Sequence, residues 1–362
     1  MPELAVEVRN HVAHLTLNRP AQLNALSHAM VVGMSVLFEG WAADPAIKAI
    51  VVRGAGAKAF CAGGDIRALR ESAVTGGELH HRFFIDEYSL DYQLHRYAKP
   101  FISVLDGIVM GGGLGISQGS GFRVVGPKTK MAMPETGIGL FPDVGGSYFL
   151  SRSPLGLYLG LTGVTIKAAD ALHAGLADRY ASADGLVELD ARLDRLLWTA
   201  DAGHDIARLL DAIASQPPEP GPLAARQDAI ARHFRTDRSV VEIVASLEGE
   251  TREADAAWAA ETAQLLRTRS PTLLEVTREQ LRLGAGLQLA DCFRMELGIV
   301  YHCFEHGDLM EGIRAVLVDK DNRPRWNPAT FDDLDAATVA AFFAPRWHGS
   351  EHPLASLERR YG

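Results

Sequence analysis

The chain has 362 residues, 47% hydrophobic and 22% charged, so it is long enough for one large globular domain or two smaller ones. Its formal net charge of −9 argues against a broad nucleic-acid-binding surface and favours a small-molecule partner. The three cysteines, Cys61, Cys292 and Cys303, lack CxxC spacing, which predicts neither disulfides nor a thiolate metal site. The acid-containing start MPELAVEVRN and the absence of an apolar run of about 18 residues predict a cytoplasmic location without a membrane span.

The first third of the sequence alternates between strand and helix patterns. Two short β-runs on either side of Arg9 to His11 predict a hairpin. Ser27 is a predicted N-cap of a helix, and the segment IKAIVVRG then predicts a buried strand. A helix is predicted over about residues 78–98, and PFISVLDG is predicted to be the next strand.

Further along, FRVVG and KMAMP predict short strands, and LGLYLGLTG and IKAADALHAG predict helices that end at glycine. The segment LADRYAS predicts a last strand. From about residue 187 the pattern is almost wholly helical, and QPPEPGP at 216–222 is typical of a rigid linker. The sequence therefore predicts an α/β core over residues 1–190 and a helical C-terminal region over residues 191–362.

Two glycine-rich segments each follow a predicted strand: FCAGGDIRAL at 60–69 and GIVMGGGLGIS at 107–117. Glycine lets the backbone approach a ligand closely, and the free N–H groups of a helix's first turn can bind an anion or a developing oxyanion. Neither segment matches a nucleotide-binding motif. Tight packing between strand and helix would explain either segment alone. The two together favour a shared site.

Two carboxylates, Glu135 and Asp143, lie in the otherwise apolar, glycine- and proline-rich stretch MPETGIGLFPDVGG at 133–146. Partial desolvation favours the protonated form of a carboxylate and suits it to acid, base or nucleophile chemistry near neutral pH. For each acid alone, a cap or turn role after the preceding proline is an alternative. Their joint position beside two glycine segments favours a catalytic pair.

Two other motifs fit their structural context poorly. Ser117 satisfies GxSxG, the nucleophile elbow of α/β-hydrolases, but it lies beyond the glycine turn, where its hydroxyl is expected to bond a backbone carbonyl. His302, Glu305 and His306 fit HxxEH, but no third zinc ligand follows on a downstream helix, so a polar helix end before Gly307 is expected instead.

In order along the chain, LNRPAQLNAL, AFCAGGDI, KPFISVLDGIVMGGGLG, MPETGIGLFPDVGG and LTGVTIKAADALHAGLAD resemble the crotonase (enoyl-CoA hydratase/isomerase) superfamily. The resemblance implies an α/β fold, a crotonase-like spiral of ββα units with a helical C-terminal part, and an acyl-CoA thioester as substrate. Carried over residue by residue, the backbone donors to the thioester oxygen would be Gly64 and Gly112. Coenzyme A is then part of the substrate, and no separate cofactor or metal is expected.

One departure from the hydratase pattern bears on the reaction. Hydratases of this superfamily carry a glutamate two residues after GGG, where this sequence has Gly115, so only one of their two acids is retained, as Glu135. Adding water across a double bond needs both an acid and a base, so the change argues against hydration. Asp143, the pair Glu87 and Tyr88, and the segment at 311–328 resemble instead the 3-hydroxyisobutyryl-CoA hydrolase branch.

The resemblance implies hydrolysis of a short β-hydroxyacyl-CoA thioester, foremost 3-hydroxyisobutyryl-CoA of valine breakdown. Glu135 would attack the carbonyl or activate a water, Asp143 would orient the 3-hydroxyl or the water, and Glu87 would line the acyl pocket. The resemblance also assigns substrate contacts to Ala25, Leu26, Ala62, Asp65, Ile66 and Arg67.

Several questions stay open on the sequence alone. A hydratase or isomerase on the same fold, and a non-catalytic acyl-CoA-binding protein, are alternatives. Members of the superfamily often form trimers or hexamers, so the resemblance implies a homo-oligomer. Candidates for contacts with the CoA phosphates are Arg67, Lys320, Arg323 and Arg325.

Overall fold

The computed structural model describes residues 2–362. The strands are β1 Leu4–Arg9, β2 Val12–Leu17, β3 Ala49–Gly54, β4 Ala59–Cys61, β5 Phe101–Leu105, β6 Ile108–Met110, β7 Phe122–Val125, β8 Lys130–Ala132, β9 Arg179–Ala181 and β10 Ala214–Ser215.

The helices up to residue 250 are α1 His28–Ala43, α2 Ile66–Val74, α3 Leu79–His95, α4 Gly112–Gln118, α5 Gly146–Phe149, α6 Gly156–Thr162, α7 Ala168–His173, α8 Ala183–Asp194, α9 Ala202–Ile213, α10 Gln227–His233 and α11 Val240–Glu248. Those that follow are α12 Glu253–Arg267, α13 Pro271–Gly284, α14 Leu289–Glu305, α15 Asp308–Ile313, α16 Ala336–Ala341 and α17 Leu357–Tyr361. Across residues 2–362, no helix combines the length and the apolar character that crossing a membrane requires.

The strands form two sheets. Among the described residues, the larger sheet has the order β1-β2-β3-β5-β7-β9-β10, in which β2 to β9 run parallel and the two edge strands run antiparallel to their neighbours. The smaller sheet has the order β4-β6-β8 and is parallel. Three consecutive strand pairs, β3–β4, β5–β6 and β7–β8, repeat one arrangement: the first strand of each pair joins the larger sheet and the second joins the smaller sheet. The chain therefore winds as a spiral of repeated units, as predicted.

Local sequence signals define the first elements. The hairpin between β1 and β2 turns at Asn10 and His11, whose φ angles of 41° and 66° suit the tight turns that join twisted strands. Helix α1 begins after Ser27, whose hydroxyl oxygen accepts a hydrogen bond of 3.1 Å from the amide of Met30. Both predictions are confirmed.

The larger sheet is buried on both faces. Along β3, Ile50 and Val52 belong to the main hydrophobic core, while Ala49 and Val51 belong to a second core beneath α8 and α9. This alternation follows from the two-residue period of a strand. The main core continues into the helices after residue 190, so side chains of both predicted regions share it. The division at residue 190 stays a prediction.

The prediction that LADRYAS is the last strand is wrong. Strand β10 follows and pairs antiparallel with β9, with Ala214 opposite Ala181. A two-residue strand is too short to produce a periodic hydrophobic pattern, so the sequence carries no signal for it. The three-residue strands β4 and β6 were also not predicted; each leads directly into one of the glycine-rich segments.

Candidate active site

The three strands of the smaller sheet end at one edge, and each is followed by a segment singled out from the sequence. The carboxyl ends of parallel strands meet at the same edge of a sheet, so the CAGG, GGG and MPE segments become neighbours. They border a cavity of about 690 Å³, which is also lined by Glu87, Glu135 and Asp143. The fold therefore gathers residues that are far apart in the chain, from Ala62 to Asp143.

The two glycine loops present free amides to this cavity. Gly63 has a φ of +101° and Gly111 a φ of +48°, conformations that side chains other than glycine rarely adopt. Within residues 2–362, neither the Gly64 amide nor the Gly112 amide donates to another backbone group. A Cβ atom built on Gly112 would lie 3.5 Å from the Gly64 nitrogen. Two unused N–H donors thus border the same small space.

Glu135 begins the short 3₁₀ turn Glu135–Ile138, and Met133 and Pro134 connect it to β8. Its side chain is buried, and its Oε2 atom has no hydrogen-bond partner among the described residues. A Cβ on Gly111 would lie 2.9 Å from Oε1, so the carboxyl group lies against the second glycine loop. Burial, followed by the negative charge of Asp143, raises the pKa of Glu135 well above its usual value. Its carboxylate is therefore more basic than a solvated one.

Asp143 is held by a tyrosine of α3. The Tyr88 hydroxyl donates a hydrogen bond of 2.8 Å to Asp143 Oδ2, and both side chains are buried. Burial raises the pKa of Asp143 to about 6, although the Tyr88 hydrogen bond acts in the opposite direction. An acid with this pKa changes its charge close to neutral pH.

Helices from the C-terminal region hold the turn that carries Asp143. Gly145 and Ser147 each donate a backbone hydrogen bond of 2.8 Å to the fully buried carboxylate of Glu296 in α14, and the Ser147 hydroxyl also donates to it. Gln280 of α13 donates a hydrogen bond of 2.6 Å to the carbonyl oxygen of Pro142. The turn includes Val144 at a φ of +55°, so these bonds stabilise a conformation that valine rarely adopts.

Helix α3 brings two further acids against the glycines of α4. A Cβ on Gly112 would lie 2.5 Å from Glu87 Oε1, and one on Gly115 would lie 2.7 Å from Asp91 Oδ2. Among residues 2–362, Glu87 Oε1 and both Asp91 oxygens lack hydrogen-bond partners. Burial raises the pKa of Glu87 and of Asp91, and the negative charges of neighbouring acids contribute a smaller increase in the same direction. Gly115 therefore leaves room for an acid from another helix.

The structure places five of the six other predicted substrate contacts around the same cavity. Its lining includes Ala25, Ala62, Asp65, Ile66 and Arg67. Leu26 is fully buried behind Gly112 and does not line the cavity. Among the basic candidates from the sequence, Arg67 lines it, whereas Lys320, Arg323 and Arg325 do not.

The two poorly fitting motifs lie outside this cavity. The Ser117 hydroxyl is buried within α4 and donates a hydrogen bond of 2.9 Å to the carbonyl oxygen of Leu114, as expected. The ligand atoms of His302, Glu305 and His306 come within 4.8 Å of one another at the end of α14. Both Glu305 oxygens accept hydrogen bonds from Arg346, at 2.6 and 2.8 Å, so an arginine already pairs with the acid of this group.

Four residues at or near the site were not found from the sequence: Asp91, Arg269, Gln280 and Glu296. The spacing of four between Glu87 and Asp91 places both on one face of a helix, a signal that could have revealed Asp91. Arg269, between α12 and α13, and Glu296, in α14, lie more than 100 residues downstream of Glu135 and Asp143, and no local spacing connects them with the cavity.

The family model described as enoyl-CoA hydratase/isomerase matches residues 12–343. The mitochondrial 3-hydroxyisobutyryl-CoA hydrolase of Danio rerio is 41% identical over 336 residues, which cover 91% of this chain and 86% of the relative. The 3-hydroxyisobutyryl-CoA hydrolase 1 of Arabidopsis thaliana is 40% identical over 349 residues, covering 94% and 91% of the two chains.

Two solved structures are similar over almost the whole chain. The first, a carnitinyl-CoA dehydratase from Mycobacterium thermoresistibile, has 41% identity and a TM-score of 0.87, and the alignment covers 95% of this chain and 97% of that one. The second, an enoyl-CoA hydratase from Rhodobacter sphaeroides, has 34% identity and a TM-score of 0.85, with coverage of 95% and 98%. These similarities confirm the predicted crotonase-like fold.

The same comparisons show that the prediction of a cytoplasmic location is wrong. The relatives from Danio rerio, Xenopus laevis and Gallus gallus carry the word mitochondrial in their names. The prediction rested on cysteine number, composition and the pattern of the first residues. Composition and cysteine number indicate a folded domain in a reducing environment, and these properties do not distinguish the cytoplasm from another reducing compartment.

Proposed function

The chain belongs to the enoyl-CoA hydratase/isomerase family, and from that membership we propose that it hydrolyses 3-hydroxyisobutyryl-CoA to 3-hydroxyisobutyrate and coenzyme A, a step of valine catabolism. The hydrolases from Danio rerio and Arabidopsis thaliana support this substrate. One observation carries the proposal: the amides of Gly64 and Gly112 border a cavity that Glu135 also lines, and among residues 2–362 neither amide donates to the backbone and Glu135 Oε2 has no hydrogen-bond partner.

The amides of Gly64 and Gly112 polarise the thioester carbonyl and stabilise the oxyanion that forms when the carbon becomes tetrahedral. Removing one such donor from known oxyanion holes costs about 3 to 4 kcal/mol of transition-state stabilisation. Because both donors belong to the backbone of fixed glycine loops, they need little reorganisation during the reaction.

Glu135 acts on the thioester carbon. In one route its carboxylate attacks the carbonyl, the C–S bond breaks, the CoA thiolate takes a proton, and water then hydrolyses the resulting anhydride. In the other route Glu135 removes a proton from a water that attacks the carbonyl carbon; the C–S bond of the tetrahedral intermediate then breaks, and the CoA thiolate takes the proton back from Glu135. After a single turnover in H₂¹⁸O, label in the Glu135 side chain would establish the anhydride route with water attacking the Glu135 carbonyl, because direct attack by water on the thioester labels only the released acid.

The other two acids select the acyl group. Asp143 orients the 3-hydroxyl or the attacking water, and Glu87 lines the acyl pocket. A buried carboxyl group without a partner is costly, so acyl groups that lack the hydroxyl are disfavoured. CoA is part of the substrate, and the proposal involves no metal, so turnover is expected to be insensitive to EDTA.

Hydration of an enoyl-CoA is the second candidate, because the two similar solved structures are named as a dehydratase and a hydratase. The environment of Gly115 argues against it. A Cβ there would lie 2.7 Å from both Asp91 Oδ2 and Val144 Cβ, so a glutamate side chain has no room at this position. Free-thiol release and loss of enoyl absorbance, measured on matched substrates, distinguish the two reactions.

The roles of the acids are tested with the isosteric variants Glu135→Gln and Asp143→Asn. We expect each to lower free-thiol release from 3-hydroxyisobutyryl-CoA by at least about 100-fold, the usual contribution of acid–base catalysis. Asp170→Asn, a buried acid outside the cavity, is the matched control. Near-normal hydrolysis by both cavity variants would refute the two-acid mechanism.

A further inference from the structure

Asp91 is a buried acid to which the proposed mechanism gives no role. It lies in α3 one helical turn after Glu87 and is fully buried, and it does not belong to the cavity lining. Within residues 2–362, neither of its carboxyl oxygens has a hydrogen-bond partner. Burying a carboxyl group without a partner is costly, so packing alone does not account for an acid at this position.

Asp91 and Glu87 point toward the same face of α4. A Cβ on Gly112 would lie 2.5 Å from Glu87 Oε1, and one on Gly115 would lie 2.7 Å from Asp91 Oδ2. Residues three apart on a helix are neighbours on its surface, so the two carboxyl groups lie about one turn apart along α4. Glu87 Oε1 also lacks a hydrogen-bond partner in the described part of the chain. Each acid thus offers the other the partner that it lacks.

The position of Asp91 is enclosed on several sides. The Cβ built on Gly115 would also lie 2.7 Å from Val144 Cβ, in the turn that carries Asp143. The carboxyl group of Asp91 therefore lies where α3, α4 and this turn meet. A side chain confined by packing in this way is suited to holding a neighbouring functional group in one direction.

The electrostatic surroundings of Asp91 are negative. Burial raises its pKa most, and the charges of three nearby acids raise it further: Glu87, Asp143 and Glu296. The other titratable neighbour is Cys61, whose thiol stays uncharged because burial raises its pKa to about 12. Two adjacent carboxyl groups without a cation tend to share one proton. The proton belongs on Asp91, since Glu87 borders the cavity, where water stabilises a charge.

We infer that Asp91 is a positioning residue: it carries a proton at neutral pH and donates a hydrogen bond to Glu87, directly or through one buried water. A protonated carboxyl group supplies the O–H donor that a carboxylate lacks, and ordered water commonly joins buried polar groups. This bond fixes the direction of the Glu87 carboxylate at the acyl pocket. Because Asp91 is not part of the lining, it acts only through Glu87. The inference rests on the proposed function in assigning Glu87 to the acyl pocket.

The proton on Asp91 is tested by ¹³C NMR of the full-length protein with labelled aspartate carboxyl groups, and Asp91→Asn assigns the signal. At neutral pH the Asp91 signal should have the chemical shift of a protonated acid. The shift of an ionised carboxylate would overturn the inference. This readout does not depend on activity, so a protein that fails to hydrolyse the thioester would contradict the proposed function and leave the protonation result standing.

The action through Glu87 is tested by thiol release from 3-hydroxyisobutyryl-CoA. Asp91→Leu keeps most of the volume without a donor and should lower kcat/KM about tenfold or more, and Asp91→Asn, with a neutral donor of the same shape, should recover most of that loss. In a Glu87→Gln background, Asp91→Leu should cause little further loss, because the two residues act as one unit.

Asp170→Asn, which changes a buried acid outside the cavity, is the control and should leave kcat/KM unchanged in both backgrounds. An equal loss from Asp91→Leu with and without Glu87 would show a general structural effect and overturn the inference. A loss in Asp91→Asn as large as that in Asp91→Leu would also overturn it, since a neutral donor would then not be what the site requires. The NMR signal of the wild type decides the question even if Asp91→Leu proves unstable.

Discussion

Replacing Tyr88 by phenylalanine removes one hydroxyl from the site and should change when Asp143 ionises. That hydroxyl donates a hydrogen bond of 2.8 Å to Asp143 Oδ2, and the bond lowers a pKa that burial has raised to about 6. A hydrogen bond to a charged group contributes about 1.5 to 3 kcal/mol, and one pKa unit corresponds to about 1.4 kcal/mol. Losing it should raise the pKa of Asp143 by about 1 to 2 units.

The shift is measured by ¹³C NMR titration of labelled aspartate carboxyl groups, with Asp143→Asn to assign the signal. In wild type the Asp143 signal should titrate near pH 6, and in Tyr88→Phe at a higher pH. The acid limb of kcat/KM for thiol release should move in the same direction. Tyr158→Phe removes a tyrosine hydroxyl outside the cavity lining and serves as the control. If Asp143 titrates at the same pH in Tyr88→Phe as in wild type, the reasoning is refuted.

Three further predictions concern stability, the glycine loop and the C-terminal helices. Burial raises the pKa of Asp143 from 3.8 to about 6, so between these pH values Asp143 is ionised in the unfolded chain and protonated in the folded one. The folded state therefore loses stability as pH rises through this window, and the loss is complete above it. Asp143→Asn should therefore raise the free energy of unfolding by up to about 3 kcal/mol above pH 7 and have no such effect near pH 3. Denaturant titration at both pH values measures the difference, and an equal effect at both would contradict this account. In Gly112→Val a Cβ would lie 2.5 Å from Glu87 Oε1 and enter the space of the two amides, so thiol release should fall at least about 100-fold. Unaltered turnover would exclude Gly112 as a donor. Glu296→Gln disturbs the acceptor of three hydrogen bonds from the turn after Asp143, so kcat should fall about tenfold with little change in KM. Ser147→Ala removes one of those donors and should lower kcat less. A change in KM alone would argue against a positioning role.

The sequence by itself determined the features that depend on neighbours in the chain. The hairpin at Asn10, the cap at Ser27 and the glycine loops depend on the backbone preferences of a few adjacent residues. Glu135 and Asp143 were identified because a charged group in an apolar, proline- and glycine-rich stretch is locally conspicuous. The family resemblance added the order of these segments, and the spiral of strands then brings their loops to one edge.

Only the tertiary structure decided which side chains support those acids. The carboxylate of Glu296 accepts hydrogen bonds from Gly145 and Ser147, and Arg269 lies against Gly137, although each pair is separated by more than 100 residues. Short patterns encode local dihedral preferences and burial, whereas such partners are selected by packing of the complete chain. The sequence therefore identified the acids and glycine loops, and the packed C-terminal helices determined how the acids are held and where Arg269 lies.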